Sequence, residues 1–168
     1  NNLEWAKYIL EECELKKNPV ILGVSEGAAK YIGGFITTVK MIEGLMEDLK
    51  ITIPVVIHLD HGSSYDACIK AIEAGFTSVM IDASKEPLDK NINITKNIVD
   101  YAHKRNVTVE GEIGHIGSTD GEAIYTDVVS ATNYVKETGV DALAPAVGSL
   151  HGIYLSEPKI NFERIKEI

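Results

Sequence analysis

PVVIHLDHGSSYDACIKAIEAGFTSVMIDAS, residues 54–84, holds a full turn of the fold in one stretch. PVVI at 54–57 is a continuous apolar run that passes directly into HLDHG at 58–62. SYDACIKAIEAG at 64–75 has helical spacing and ends on Gly75, which suits a left-handed C-terminal cap. SVMI at 78–81 is a second apolar run, and Asp82 closes it. Strands that are apolar throughout, instead of alternating, belong to a parallel sheet covered on both faces. Strand, helix and strand in that order make a βαβ crossover.

The same alternation extends in both directions. NNLEWAKYILEECELKK at 1–17 is an amphipathic helix with Leu3, Ala6, Ile9, Leu10 and Cys13 on one face and Asn2 as its N-cap. PVILGVSEG at 19–27 is a buried strand running into a loop, and TTVKMIEGLMEDLK at 37–50 is a helix. Beyond Ser84 come a helix at 89–106, the strand VTVEGEIG at 107–114, a helix at 127–139 ending on Gly139, and the strand ALAPAVG at 142–148. INFERIKEI at 160–168 opens a last helix. No linker or low-complexity tract divides these units, so a single α/β domain over 1–168 is expected.

A doubly wound sheet and a (β/α)8 TIM barrel both predict this alternation. The polar residues choose between them. Ser25, Glu26, Asp60, His61, Asp82, Glu110, Glu112 and His151 all fall near the C-terminal ends of successive strands. A barrel brings many strand ends to one mouth, whereas an open sheet gathers its site at one crevice behind a Gly-rich phosphate turn. Neither GxGxxG nor GxxxxGK[ST] occurs. The expectation is therefore a barrel. A complete one takes eight strands and typically ~250 residues. The 168 residues supply five strands and begin on a helix, as the central part of a barrel without its first strand and last two would.

Composition is that of a globular chain, with 45% hydrophobic and 24% charged residues. The net charge of −9 argues against sequence-blind binding to nucleic acid, and an anionic substrate would need a local cation. No apolar run approaches the ~20 residues of a membrane span. NNLEWAKYIL does not read as a signal peptide, and the cysteines, Cys13 and Cys68, read as buried thiols of a reducing compartment. A cytoplasmic protein is expected.

In a regular strand His58, Asp60 and Gly62 face one way, and Leu59 and His61 the other. Near the strand end, Asp60 and His61 can both reach the mouth. Neutral imidazole is a good zinc ligand, and a neighbouring carboxylate can move a proton without being the main ligand. Asp82 suits a metal or a helix cap. Glu110 and Glu112 share one face, and two carboxylates facing an interior need a balancing cation. His151 stands just past a strand, His103 reads as solvent-facing, and His115 is open between roles. No lysine sits within a strand's apolar run, where a Schiff-base lysine would be expected.

SEGAAKYIGGF at 25–35, HLDHGSS at 58–64 followed by MIDAS at 80–84, VEGEIG at 109–114 and GVDALAPAVGSLHGIY at 139–154 resemble the class II, zinc-dependent fructose-bisphosphate aldolases. They are most similar to the branch that includes tagatose-bisphosphate aldolases. The resemblance implies a TIM barrel that cleaves a ketose 1,6-bisphosphate into dihydroxyacetone phosphate and glyceraldehyde 3-phosphate. By the same matching, Asp60 is the acid/base at the C4 hydroxyl. His61 and His151 are zinc ligands, and Asp82 and Glu112 mark an alternative or second metal position for a divalent or monovalent cation. Gly152 and Ser25 contact substrate, and His58 and Glu110 stand behind the ligands. A homodimer or homotetramer goes with the family.

The chain also departs from the family pattern. The family's third zinc histidine, in an HGGSG-like motif on a further strand, would fall after Ile168. The loop HIGSTDGEAIY at 115–125 is several residues short, and Thr119 stands where the family has a glutamate before Asp-Gly, leaving Glu122 as the nearby carboxylate. Leu155 occupies the place of a phosphate-binding lysine, with Lys159 nearby. A tagatose-bisphosphate aldolase and a non-catalytic paralogue or fragment are thus the alternatives to the fructose enzyme.

Overall fold

Helix starts coincide with residues able to cap them. In the computed structural model of the protein, which describes residues 2–114, 125–149, 153–154 and 157–168, the Asn2 side chain accepts the Trp5 N–H at 2.9 Å and opens α1 (Leu3–Lys16). Ser25, Ser64, Asp127 and Asn161 cap α2 (Glu26–Ile32), α4 (Tyr65–Ala74), α6 (Val128–Thr138) and α7 (Phe162–Glu167) in the same way. The helices α3 (Phe35–Asp48) and α5 (Leu88–Ala102) start without a side-chain cap. Gly75 and Gly139 end α4 and α6 in the left-handed conformation the sequence suggests. The α2 helix was not expected. SEGAAKYIGG is short and flanked by glycines, which hides its period.

Between the helices lie β1 (Val20–Ser25), β2 (Val55–Gly62), β3 (Ser78–Ile81), β4 (Thr108–Ile113) and β5 (Ala142–Pro145). They form one sheet in the order β1-β2-β3-β4-β5, and every neighbouring pair is parallel. Each strand lies beside its predecessor. No reversal of order creates the switch point of a doubly wound sheet, so the five strands form the wall of a half-barrel.

One face of the sheet is apolar and faces the helices. Leu22, Val24, Ile57, Leu59, Val79, Ile81 and Val109 pack into a single core with Leu10, Val39, Ile42, Cys68, Ile72, Ile98 and Val99. Alternation along the strands therefore turns Gly23, Ser25, His58, Asp60, Ser78, Glu110 and Glu112 to the inner face. The cysteines differ: Cys68 is buried, and Cys13 is only half-buried. The outer face explains stability, and the inner face, lined by polar groups at the strand ends, carries the chemistry.

Candidate metal centre

The β2 strand does not keep its alternation to the end. Leu59 pairs with Val79 but Gly62 pairs with Ile81, so β2 spends one more residue than β3 over the same span. This is a β-bulge. His61 sits in it with φ +50°, a left-handed conformation that costs a non-glycine residue about 1–2 kcal/mol. The bulge shifts the phase of the strand. Gly62 now faces α4 on the same side as Leu59, where Cys68 and the Met80 carbonyl leave no room for a Cβ. Both intervening side chains, Asp60 and His61, are left to the mouth. The sequence parity that set His61 apart from Asp60 is thus undone by the bulge, and the shared destination is kept.

At the mouth His61 meets carboxylates from the next two strands. Its Nδ1 lies 3.1 Å from Asp82 Oδ2 and 3.7 Å from Glu112 Oε2, and its Nε2 lies 3.9 Å from Asp60 Oδ1. One ring nitrogen of His61 and one carboxylate oxygen each of Asp82 and Glu112 lie within 4.8 Å of one another. Two donors bound tetrahedrally to one zinc at 2.0–2.2 Å would stand roughly 3.4 Å apart, so these separations suit a shared ion. The donor set, one imidazole and two carboxylates, suits zinc or another divalent metal. Glu112 is 4% exposed, and a carboxylate buried that deeply is stabilised by a cation.

Asp82 is held ionised. Burial opposes its charge, but the Ser84 hydroxyl and N–H and the His61 ring outweigh this and keep its pKa below the ordinary value. The Ser84 Oγ donates to Asp82 Oδ1 at 2.7 Å. Asp82 therefore uses one oxygen to close its own turn at Ser84 and offers the other to His61; it does not cap the following helix, since α5 starts later, at Leu88, without a side-chain cap.

A second layer lies deeper along the inner face. His58 Nδ1 is 2.8 Å from Ser78 Oγ, and its Nε2 is 3.5 Å from Glu110 Oε2. Burial lowers the His58 pKa against the opposing pull of Glu110 and Asp60, which favours the neutral ring. Ser25, paired in register with Asp60, spends its side chain capping α2, accepting the Ala28 N–H at 3.2 Å. His103 is exposed and bonds Asp141 Oδ2 at 2.9 Å, at the far end of β4 from the mouth. His151, Gly152, His115, Glu122 and Leu155 lie outside the described residues.

Other residues hold the site in place, and of these Glu26 alone is singled out by the sequence, at the end of its strand. Glu26 Oε1 accepts the Ser63 N–H at 2.7 Å, fastening the start of α2 to the chain just past the bulge. Asn91, Thr95 and Tyr134 form a buried polar cluster behind β4. A signal for two of them existed. Asn91 and Thr95 share the helical face of Ile98, Val99 and Ala102, and polar residues on a buried face imply internal partners.

The sequence model of the family described as "Fructose-bisphosphate aldolase class-II" matches residues 1–168. A protein named fructose-bisphosphate aldolase from Geobacillus stearothermophilus is 55% identical over 173 aligned positions, covering 100% of this chain and 60% of that protein. One of the same name from Staphylococcus aureus strain Mu50 gives the same identity and the same coverage. The crystal structure of the YdjI aldolase from Escherichia coli K12 superimposes with a TM-score of 0.85 at 35% identity, covering 99% of this chain and 59% of that one. The chain thus spans about 60% of the length of the curated relatives it matches. Among the described residues no helix is long and apolar enough to cross a membrane. By its sequence along its whole length and by its half-barrel, the chain belongs to the class II fructose-bisphosphate aldolase family.

Proposed function

We propose that this chain carries the metal-binding and proton-transfer half of an aldolase that reversibly cleaves fructose 1,6-bisphosphate to dihydroxyacetone phosphate and glyceraldehyde 3-phosphate. The observation that supports it most is the convergence of His61, Asp82 and Glu112 from three consecutive strands, with Asp60 beside them. The family match and the names of the relatives favour the substrate.

His61, Asp82 and Glu112 would hold the ion, zinc by the donor set; the family resemblance adds His151 as a further imidazole and assigns Asp82 and Glu112 to an alternative or second cation position. When bound, the metal polarises the ketose carbonyl and stabilises the negative charge released when the C3–C4 bond breaks. Asp60 takes the proton from the C4 hydroxyl during cleavage and returns it in condensation. Its carboxylate is half-exposed and 3.9 Å from the His61 ring, open to substrate and close to the metal position. The bulge at His61 lets one short strand end present both groups. His58 and Glu110 support the layer beneath, and Ser25 and Gly152 are assigned to the sugar phosphate by the family resemblance alone. Sugar phosphate is the partner, and a homodimer or homotetramer is the expected assembly.

The test is cleavage of fructose 1,6-bisphosphate by the full polypeptide that contains these residues, with and without chelator, and with Asp60→Asn. The expected result is zinc-dependent turnover that falls by roughly 10²–10⁴-fold in the variant. Turnover that survives both chelator and substitution would refute the mechanism. A protein that binds zinc but turns over no ketose bisphosphate would favour a non-catalytic paralogue.

A further inference from the structure

β4 outruns its neighbour. β3 stops at Ile81, whose partner is Gly111, while β4 continues through Glu112 to Ile113. Carbonyls alternate sides along a strand. The Val109 and Ile113 carbonyls accept N–H groups from Asp141 and Ala146 on the β5 side. The Glu112 carbonyl must then face the β3 side, beyond the point where β3 has ended. Asn91 on α5 takes the place of the strand there, its Nδ2 donating to the Glu112 carbonyl at 2.8 Å.

The direction of that amide is fixed. Asn91 Oδ1 lies 3.1 Å from the Thr95 hydroxyl and 3.0 Å from the Tyr134 hydroxyl, and the two hydroxyls are 2.8 Å apart. The Glu112 carbonyl can only accept, so the NH2 group must face it and the amide oxygen must face the hydroxyls. All three residues are buried. The Tyr134 ring also presses on Gly111, where a Cβ would stand 2.5 Å from the hydroxyl oxygen. The backbone is therefore gripped from behind at two consecutive residues, Gly111 by the Tyr134 ring of α6 and the Glu112 carbonyl by Asn91 of α5, while the Glu112 side chain points forward into the metal centre.

We propose that Asn91 is a positioning residue for Glu112. It fixes the backbone of this metal ligand on the side where β3 has ended, and the Thr95 and Tyr134 hydroxyls fix Asn91. This rests on the reading of His61, Asp82 and Glu112 as a metal site.

The test is cobalt titration of the full polypeptide, following the visible absorption band, beside thermal melting. Asn91→Asp keeps an acceptor for the hydroxyls and puts a carboxylate oxygen, which repels the Glu112 carbonyl, where the donor stood; Asn91→Leu removes the donor without adding a charge and should weaken cobalt likewise. Thr95→Val removes one hydroxyl but leaves Tyr134 to hold the amide. The expected result is cobalt affinity weakened roughly 10–100-fold with a shifted band in Asn91→Asp, and affinity and band retained in Thr95→Val even where its melting temperature falls as far. Should Asn91→Asp fail to fold, the double variant Thr95→Val/Tyr134→Phe strips the amide oxygen of both hydroxyl partners, so that Asn91 is no longer held against Glu112, and is expected to weaken cobalt in the same way. Wild-type affinity and band in whichever of these two variants decides the test would overturn the positioning role. So would a loss in Thr95→Val as large as that in Asn91→Asp, since the cluster would then act through stability alone. Failure of the unaltered protein to bind cobalt would instead overturn the metal reading, and the inference with it.

Discussion

Gly62→Ala tests whether the bulge that aims His61 depends on close contact behind it. A Cβ at Gly62 would stand 2.6 Å from Cys68 Sγ, 2.7 Å from the Met80 carbonyl oxygen and 3.1 Å from Leu59 Cδ2. Comfortable contacts lie near 3.5–4.0 Å, so the methyl is about 1 Å too deep on two sides. Cys68 is fully buried and cannot swing away, and the Met80 oxygen belongs to the backbone of β3. Overpacking of this kind costs typically 1–3 kcal/mol, and the rigid carbonyl puts this site near ~3 kcal/mol. At roughly 2–4 °C per kcal/mol, melting should fall by ~6–12 °C. Adding Cys68→Ala removes the sulfur contact but not the carbonyl, so the double variant should recover part of the loss, with a coupling of about 1 kcal/mol. The tail of β2 must also move away from β3, which carries His61 from Asp82, so metal affinity should fall with stability. A melting temperature within ~2 °C of the unaltered protein, with metal affinity unchanged, would refute this account of the bulge.

His61→Gly and His61→Ala both delete the imidazole, but only glycine accepts φ +50° freely, so the glycine variant should be more stable by roughly 1 kcal/mol in denaturant melts; equal stabilities would show that no strain is stored there. Glu14 joins the end of α1 to the segment before β2, pairing with Lys17 and accepting the Thr52 and Ile53 N–H groups. These contacts, Lys17 foremost, lower its pKa from 4.5 to about 2. A depressed carboxyl stabilises the fold above its ordinary pKa, so the melting advantage over Glu14→Gln should be full above pH 4.5 and vanish as pH falls toward 2; a constant gap would contradict it. Burial pushes the Cys68 thiol up to about 12, so iodoacetamide should label half-buried Cys13 in the folded protein and reach Cys68 only after unfolding.

The order of elements was legible because each depends on nearby residues: apolar runs made the strands, and helical spacing with Gly75 and Gly139 made α4 and α6. The barrel wall was legible from the polar groups at strand ends, and its sequential strand order agrees. His61, Asp82 and Glu112 were singled out one by one, and the structure brings them together. The bulge was not legible. A one-residue phase shift is set by what Gly62 touches across two elements, and periodicity within one strand carries no trace of it. The grip of Asn91 on Glu112 was hidden for a related reason, since it depends on β3 ending sooner than β4, a comparison between strands. Ser25 was read for its polarity at a strand end, and its side chain is engaged in capping a helix too short for its period to stand out.

The central claim is that His61, Asp82 and Glu112 hold one divalent ion at the strand ends. Anomalous diffraction at the zinc edge, from crystals of the full polypeptide grown with zinc, tests it directly. The predicted result is a peak about 2.0–2.2 Å from a His61 nitrogen and from carboxylate oxygens of the same cluster. Zinc bound elsewhere, with His61 and Glu112 both unliganded, would contradict it.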